Sequence, residues 1–365
     1  MSQLAKVLVD RISVSAYTIP TDRQPESDGT AVWNATTLVL VEIEAGGKRG
    51  TGWTYESAAA GKLIQEQLVE IVRGENALDT RAIWNKLTGK VRNTGRSGLA
   101  SYAIAAVDIA LWDLRARLYD VALCDLMGLV REEVPIYGSG GFTSYDIPTL
   151  QRQLAGWAEA GIPAVKMKVG RDHAADPARV AAARAAIGSD CRLFVDGNGG
   201  YEVSEANAIA RRFADYDVTW FEQPVDHNDL SGTRRVREHA PPGMAISSGE
   251  YITDTCRAAL VADAVDVLQA DASRCGGYTG FLAIDGYCEV IRKPLSSHCG
   301  PMLHLHVAAA SLRLRHAEYF HDHVRIEKML FDGFIEPVDG RLRPDRSRAG
   351  HGFEFRHADA RQFAL

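Results

Sequence analysis

The sequence has no apolar run long enough to cross a bilayer, and residues 1–10 lack the apolar core of a secretion signal. Its formal net charge of −6 provides no basic field for nucleic acid. The six cysteines include no Cys-x-x-Cys pair and indicate no small disulfide framework, so we expect reduced, mostly buried thiols. We therefore predict a cytoplasmic protein with no membrane partner and no nucleic-acid partner.

The length and composition are typical of a globular protein with a large core. Apolar residues make up 46% of the 365 residues and charged residues 24%. A chain of this length exceeds one small core and fits two domains, one of which has room for an α/β barrel.

The first third of the chain shows strand patterns followed by helix patterns. Apolar alternation predicts strands over residues 7–17, 36–44 and 50–54, and a polar loop over residues 21–30 separates the first two. Helical periodicity then covers residues 58–72, 80–88 and 97–119. This order indicates an α+β domain.

From residue 134 the pattern changes to strands that alternate with helices. Helical patterns recur over residues 150–159, 177–187, 204–216 and 230–238, and such alternation predicts a parallel sheet. After residue 342 the chain reads as a polar loop, a short strand at residues 352–355 and a tail. We predict an N-terminal α+β capping domain over residues 1–128, a barrel over residues 129–341, and a segment 342–365 that packs back on the cap.

Ionisable side chains recur through the second region at intervals of 20 to 28 residues, by subtraction of their residue numbers. Each follows or closes a short apolar run, as expected for one reactive group per strand. In a parallel (β/α) barrel the carboxyl ends of all strands meet at one mouth, so these groups would surround one small volume. They are Lys168, Asp196, Glu222, Glu250, Asp271, His298 and Glu318.

Three of these groups predict a metal site. Asp196, Glu222 and Glu250 end three consecutive strand patterns, and three carboxylates at one mouth would repel strongly unless a cation lay between them. Oxygen ligands favour Mg²⁺, with Mn²⁺ as a substitute. The simpler interpretation is that each acid caps a helix or forms a surface ion pair.

Lys166 and Lys168 lie two residues apart on a strand pattern, so both point to one face. Two close ammonium groups lower each other's proton affinity, and burial adds to the effect, so one could be a neutral base near neutral pH. The alternative is a pair of exposed lysines at a strand edge, which the apolar residues between and around them disfavour.

Asp271 and His298 would lie on neighbouring strands, where a carboxylate could orient the imidazole and raise its pKa. This pair would form a second acid/base group. A structural histidine is the alternative. Glu318 could donate to a substrate carboxylate if it were kept protonated.

These residues lie in motifs that resemble the mandelate racemase subgroup of the enolase superfamily. The motifs occur in order over nearly the whole chain: Lys166-Met167-Lys168, Asp196-Gly197-Asn198, Glu222-Gln223-Pro224, Gly249-Glu250, Gln269-Ala270-Asp271 followed by Gly276-Gly277, and Ser297-His298. A helix from Ala106 to Asp113 resembles that family's capping helix.

The resemblance implies a modified (β/α)₇β TIM barrel beneath an α+β cap. It also implies one Mg²⁺ bound by Asp196, Glu222 and Glu250. Lys168 and His298 would be two bases on opposite faces of the substrate. Lys166 would tune Lys168, Asp271 would orient His298, and Glu318 would be the electrophilic partner. Enolase-superfamily sites stabilise an enediolate in this way.

These motifs predict the first step, removal of the proton α to a carboxylate, but they do not identify the overall reaction. A polar cap loop suits a hydroxyl-rich substrate, because hydroxyls would pair its polar groups. We therefore predict an acid-sugar dehydratase that forms a 2-keto-3-deoxy acid, with Asn198, Arg23, Trp33 and Tyr55 as substrate-binding residues. The alternatives are a racemase or epimerase, a sugar-lactone cycloisomerase and, from a different class, a non-catalytic ligand-binding barrel.

Two further expectations concern assembly and a histidine cluster. The partner is a small-molecule carboxylate, and the resemblance favours a homo-oligomer. His321 and His323 flank Asp322 after the last strand pattern, where a second metal site is one interpretation and a solvated or supporting cluster is the preferred one.

Overall fold

A computed structural model describes residues 6–23 and 25–365, so residues 1–5 of the predicted cap and Gln24 of the predicted loop lie outside it. The N-terminal part contains a three-stranded antiparallel sheet, in which the first strand pairs with the fourth and the fourth with the fifth, and a short hairpin of the second and third strands. The strands are β1 (Val9–Pro20), β2 (Glu26–Ser27), β3 (Val32–Trp33), β4 (Ala35–Ala45) and β5 (Lys48–Tyr55).

Helices cover one face of this sheet. The pattern predicted over residues 58–72 forms helical turns with a central π segment at Ile64–Leu68. The largest helix, α4, is buried along nearly its whole length, because it packs on the sheet on one side and on the barrel on the other. The helices are α1 (Ala59–Leu63), α2 (Val69–Val72), α3 (Thr80–Lys90), α4 (Leu99–Leu118) and α5 (Leu123–Met127).

The second part is a closed barrel of eight parallel strands, in which the last strand pairs with the first. The predicted TIM barrel beneath an antiparallel N-terminal cap is therefore confirmed. The barrel strands are β6 (Val134–Gly140), β7 (Ala164–Lys168), β8 (Arg192–Asp196), β9 (Val218–Glu222), β10 (Ala245–Ser248), β11 (Val267–Ala270), β12 (Leu295–Ser297) and β13 (Leu314–Phe320).

An outer ring of helices covers the strands, whose short apolar runs are buried. In the described part of the chain, no helix is both long and apolar enough to cross a membrane. The ring helices are α6 (Ile147–Glu159), α7 (Asp176–Ile187), α8 (Val203–Ala214), α9 (Leu230–His239), α10 (Thr255–Ala264), α11 (Gly277–Val290), α12 (Pro301–Ala310) and α13 (His321–Leu330).

The C-terminal segment joins the barrel to the cap. The backbone N–H of Leu365 donates to the carbonyl of Ala16 in the cap sheet (3.0 Å), and the guanidinium of Arg117 in α4 donates to the carbonyl of Phe353 (3.0 Å). The segment contains β14 (Phe331–Asp332), β15 (Arg341–Leu342), β16 (Glu354–Phe355), α14 (His357–Ala360) and a 3₁₀ turn at Arg361–Phe363.

Asp108 of α4 fixes the cap to the barrel. Its carboxylate accepts hydrogen bonds from the backbone N–H and hydroxyl of Thr279 (2.8 and 2.7 Å), in the first turn of α11. Burial raises the pKa of Asp108 to about 7. Gly277 is required beside it, because a Cβ there would lie 2.3 Å from an Asp108 oxygen.

The candidate active site

The seven ionisable side chains lie at or just beyond the carboxyl ends of the barrel strands. Lys168, Asp196 and Glu222 are the last residues of β7, β8 and β9. Glu250, Asp271 and His298 follow β10, β11 and β12, and Glu318 lies two residues before the end of β13. All seven residues are at most 6% exposed. Burial of so many charges is tolerated only when each is paired.

Several loop residues at this end of the barrel have left-handed backbones. Asn198, Gln223 and Cys299 have φ values of 46°, 38° and 51°, which is uncommon for residues with a side chain and concentrates at functional sites. Gly249 has a φ of 145°, and a Cβ there would approach the carbonyl oxygen of Gln269 to 2.2 Å. Only glycine therefore fits before Glu250.

On one side of the mouth, two lysines pair with carboxylates. Lys168 Nζ lies 2.5 Å from Asp196 Oδ2, and Lys166 Nζ lies 2.7 Å from Glu222 Oε2 and 2.8 Å from Glu318 Oε1. Burial alone would lower the pKa of Lys168, but Asp196 outweighs it, and the pKa is raised. Lys166 lowers the pKa of Lys168, as predicted, but the carboxylates outweigh this effect and favour the ammonium form of both lysines in these contacts. A neutral lysine base therefore stays a prediction.

Glu318 has more donors than the sequence suggested. It accepts hydrogen bonds from the hydroxyl of Ser139 (2.6 Å) and the backbone N–H of Cys299 (2.7 Å), in addition to its pair with Lys166. Burial would raise the pKa of Glu318, but Lys166 and His298 hold it well below its usual range. These groups stabilise the carboxylate, so the condition under which Glu318 was expected to donate a proton, a protonated side chain, is not met in this structure.

On the other side, His298 lies between two carboxylates. Its Nδ1 lies 2.8 Å from Asp271 Oδ2, and its Nε2 lies 3.1 Å from Glu250 Oε2. Burial opposes the charged form, but neighbours that include Asp271 and Glu250 raise the pKa of His298 well above its usual value. The predicted pairing of Asp271 with His298 is present, and it favours an imidazolium.

Each of the three predicted metal ligands lies beside a positively charged side chain of the protein. Burial and the charge of Asp196 raise the pKa of Glu222 to about 7, which reflects crowding between two carboxylates on adjacent strands. Glu250 is turned toward His298 and Arg274, which offset its burial and lower its pKa to about 2. These three oxygens do not form a cluster within 4.8 Å, because each carboxylate faces a protein cation instead. Three buried carboxylates on adjacent strands nevertheless suit a hard divalent ion.

A cavity of about 370 Å³ opens between these groups and the cap. Lys168, Glu250 and His298 line its floor, and Asn198, Trp33 and Tyr55 line it as the sequence predicted. Asp196, Glu222, Lys166, Asp271 and Glu318 are not among its lining residues.

Arg23 is a correction to the predicted substrate-binding set. Its side chain is exposed and lies over the ring of Tyr145, 5.8 Å from the ring centroid, and it does not line the cavity. A polar loop predicts which segment is near the mouth, but it cannot predict which of its side chains turn inward.

Sequence reasoning missed Arg274 and Tyr251, which both line the cavity. Arg274 lies 3.3 Å from Glu250 Oε2 and 3.6 Å from Asp271 Oδ2, so it joins two carboxylates of the site. The signal was available, since Arg274 follows Asp271 by one short turn at a strand end.

His321 and His323 do not form one site. His323 is buried, stacks on the ring of Tyr55 at 3.5 Å and accepts a hydrogen bond from the backbone N–H of Gly300 (3.1 Å). His321 instead pairs with Asp22 of the cap loop. Their opposite directions exclude a metal site formed by both.

Two family models match the chain. One, described as the mandelate racemase and muconate lactonizing enzyme N-terminal domain, matches residues 12–128. The other, described as enolase C-terminal domain-like, matches residues 149–360.

Individual relatives agree with these matches. A mandelate racemase/muconate lactonizing enzyme-like protein from Rubrobacter xylanophilus is 47% identical, with a TM-score of 0.96 over 98% of this chain and 100% of that one. The L-talarate/galactarate dehydratase of Salmonella typhimurium is 31% identical over 84% of this chain and 77% of its own. Its structure with Mg and L-lyxarohydroxamate, at 28% identity, gives a TM-score of 0.90 over 100% and 95% of the two chains. A 3,6-anhydro-α-L-galactonate cycloisomerase from Streptomyces coelicolor is 31% identical over 94% of this chain and 96% of its own.

Proposed function

Because the chain belongs to the mandelate racemase and muconate lactonizing enzyme family of the enolase superfamily, we propose that it removes the proton α to a carboxylate of an acid sugar. The reaction we propose is dehydration to a 2-keto-3-deoxy acid through an enediolate. The observation that carries this proposal is that two buried proton-transfer groups, Lys168 and His298, line one cavity from separate strands.

The proposed cofactor is Mg²⁺, with Mn²⁺ as a substitute. Asp196, Glu222 and Glu250 would hold it, as their buried carboxylates suit an ion with oxygen ligands. When bound, the ion would supply positive charge to the substrate carboxylate as the α-proton leaves.

Lys168 is the proposed base and His298 the proposed acid. The ammonium of Lys168 is held by Asp196, a proposed metal ligand, so the same carboxylate that binds the ion controls its charge. His298 is held by Glu250, which is in the ligand set, and by Asp271, which is outside it. The pair with Asp271 would remain when the ion is bound, so His298 would keep its proton and could donate it to a departing 3-hydroxyl. Lys166 pairs with both Glu222 and Glu318, and its charge favours their ionised forms.

An acid sugar fits the polarity of the cavity. Its lining includes the polar side chains of Asn198, Asp28, Thr36 and Ser57, which offer hydrogen-bond partners to the hydroxyls of a sugar but not to an aryl or alkyl group. The similarity to an L-talarate/galactarate dehydratase supports the same substrate class.

The alternatives use the same first step. Return of a proton to the other face would give an epimerase or racemase, and the similarity to a cycloisomerase favours lactone chemistry as a second candidate. A barrel that only binds a ligand is less well supported, because binding alone does not require two buried proton-transfer groups.

The test is proton NMR of Mg²⁺-loaded protein in D₂O with a panel of mono- and diacid sugars. Formation of a 2-keto-3-deoxy acid is expected and would identify the substrate. Deuterium at C2 with inversion and no elimination would assign an epimerase instead, and a lactone-derived product would assign a cycloisomerase.

Metal dependence has its own test. Treatment with EDTA is expected to abolish turnover, and Mg²⁺ or Mn²⁺ to restore it. Calorimetric titration should show Mg²⁺ binding that Asp196→Asn weakens; unchanged binding would remove Asp196 from the ligand set.

The assembly and compartment are proposed as a homo-oligomer in the cytoplasm. We also propose that the capping domain ends at residue 128 and the barrel domain at residue 341. Light scattering of the purified chain tests the first proposal, since a monomeric mass would contradict it.

A further inference from the structure

A second group of metal-ligating side chains lies at the joint between the cap and the barrel, outside the groups described above. Asp22 lies in the cap just after β1, Glu26 begins β2, and His321 begins α13 on the barrel. His321 Nε2 lies 3.0 Å from Asp22 Oδ2. One ligand atom of each of these three residues lies within 4.8 Å of the other two.

Two carboxylates at this joint are almost completely buried. Glu26 is 0% exposed and the adjacent Asp322 is 1% exposed. Glu26 Oε2 and Asp322 Oδ1 are buried, and no donor among the described residues reaches either oxygen. This differs from the catalytic mouth, where the buried carboxylates receive lysine, arginine or histidine.

The cations near the joint do not compensate these charges. Arg325 donates to the carbonyl of Pro20 (2.7 Å), and its charge acts on Asp22 at the outer edge. Within residues 6–23 and 25–365, neither Glu26 nor Asp322 has a lysine or arginine partner at ion-pair distance. Either a shared proton or a bound cation must balance the buried charge. Burial and the charges of Asp322 and Asp22 raise the pKa of Glu26 to about 10.

We propose that Asp22, Glu26 and His321 bind a divalent transition-metal ion at this joint, distinct from the ion of the catalytic carboxylates. An imidazole nitrogen with carboxylate oxygens suits Zn²⁺ or Mn²⁺ better than Mg²⁺, which prefers oxygen ligands alone. The ion would join the cap loop to the barrel.

The position of this site relates it to the substrate cavity. The other oxygen of Asp322, Oδ2, accepts a hydrogen bond from Trp33 Nε1 (3.2 Å), and Trp33 and Asp322 both line the cavity. An ion beside Asp322 would therefore hold one wall of the cavity in place.

The test is equilibrium dialysis of the full chain against micromolar Zn²⁺ in excess Mg²⁺, with bound zinc measured by mass spectrometry. The excess Mg²⁺ occupies the catalytic carboxylates. We expect about one retained zinc per wild-type chain and about one per Asp196→Asn chain, because Asp196 is outside the second site. The His321→Ala and Glu26→Gln variants should not retain this zinc.

His173→Ala is the matched control, since His173 Nδ1 lies 3.6 Å from Glu205 Oε1 in another histidine–carboxylate pair. It should retain the zinc. Glu26→Gln keeps the size of the side chain, so it decides the test if His321→Ala does not fold.

Three results would overturn the proposal. Wild-type protein that retains no zinc would mean that a proton balances Glu26. Zinc retained by the folded Glu26→Gln variant would locate it elsewhere. Loss of the zinc from Asp196→Asn would mean that the zinc binds at the catalytic carboxylates. Of the three results, only this one also concerns the proposed catalytic site.

Discussion

The two sides of the catalytic mouth are built from similar charge pairs but differ in what holds each charge. On the lysine side, Lys168 pairs with Asp196, one of the proposed metal ligands. On the histidine side, His298 pairs with Glu250, which is in that ligand set, and also with Asp271, which is not.

Because of this difference, the protonation of Lys168 and that of His298 depend on different partners, which the sequence alone does not show. The charge of Lys168 depends on what else Asp196 binds, so an ion shared by the carboxylates favours loss of its proton. The same ion would take Glu250 from His298 but leave Asp271, so His298 would keep one carboxylate that favours its protonated form. A mouth arranged in this way would suit removal of a proton on one side and its delivery on the other.

The largest expected effect is a loss of turnover when either proton-transfer group, Lys168 or His298, is removed. Lys168→Ala and His298→Asn should each reduce kcat by about 10³-fold or more, because each removes a general acid or base. The measurement is steady-state kinetics on the substrate that the NMR panel identifies. Lys62→Ala, at a side chain that is 68% exposed in α1, is the control and should keep wild-type kcat. Wild-type kcat in either site variant would remove that residue from the reaction.

Asp271→Asn should reduce kcat by about 10²-fold and change its pH dependence. The pKa of His298 is raised above its ordinary value partly through its hydrogen bond to Asp271. A general acid must be protonated, so activity falls as the pH rises through that pKa. Without the carboxylate the pKa falls, and the alkaline limb of the kcat profile should move to lower pH. An alkaline limb that does not move would show that Asp271 does not set the charge of His298.

Arg274→Gln should have an intermediate effect of about tenfold on kcat/KM, because it removes charged contacts to Glu250 and Asp271. Its readout is the split between kcat and KM together with the affinity for Mg²⁺. If Arg274 only supports the fold, the melting temperature will fall while these three quantities stay unchanged.

The smallest effects concern the cap. Trp33→Ala should raise KM by about fivefold, as it removes one wall of the cavity and its hydrogen bond to Asp322.

Arg23→Ala should change KM by less than about twofold, because Arg23 is exposed over Tyr145. A larger increase in the KM of Arg23→Ala would show that Arg23 does bind the substrate.

Much of the fold was predictable, because parallel strands leave short apolar runs at regular spacing. The same spacing located Lys168, Asp196 and Glu222 at strand ends, since a barrel brings all carboxyl ends to one mouth. The neighbouring order of β11 and β12 likewise predicted the contact between Asp271 and His298.

The remaining details depend on side-chain directions, which spacing does not contain. The raised pKa of Lys168 and the lowered pKa of Glu318 follow from which opposite charge each group meets. The outward direction of Arg23 and the inward direction of Arg274 are set by packing in loops. The burial of Glu26 was also not predictable, because its loop reads as polar throughout.

The most direct test of the difference between the two sides is C2 hydrogen exchange of the substrate in D₂O, followed by NMR in Lys168→Ala and His298→Asn. If Lys168 is the base and His298 the acid, His298→Asn will exchange the C2 proton without eliminating the 3-hydroxyl, while Lys168→Ala will do neither. Exchange that persists in Lys168→Ala and disappears in His298→Asn would contradict the assignment and reverse the two roles.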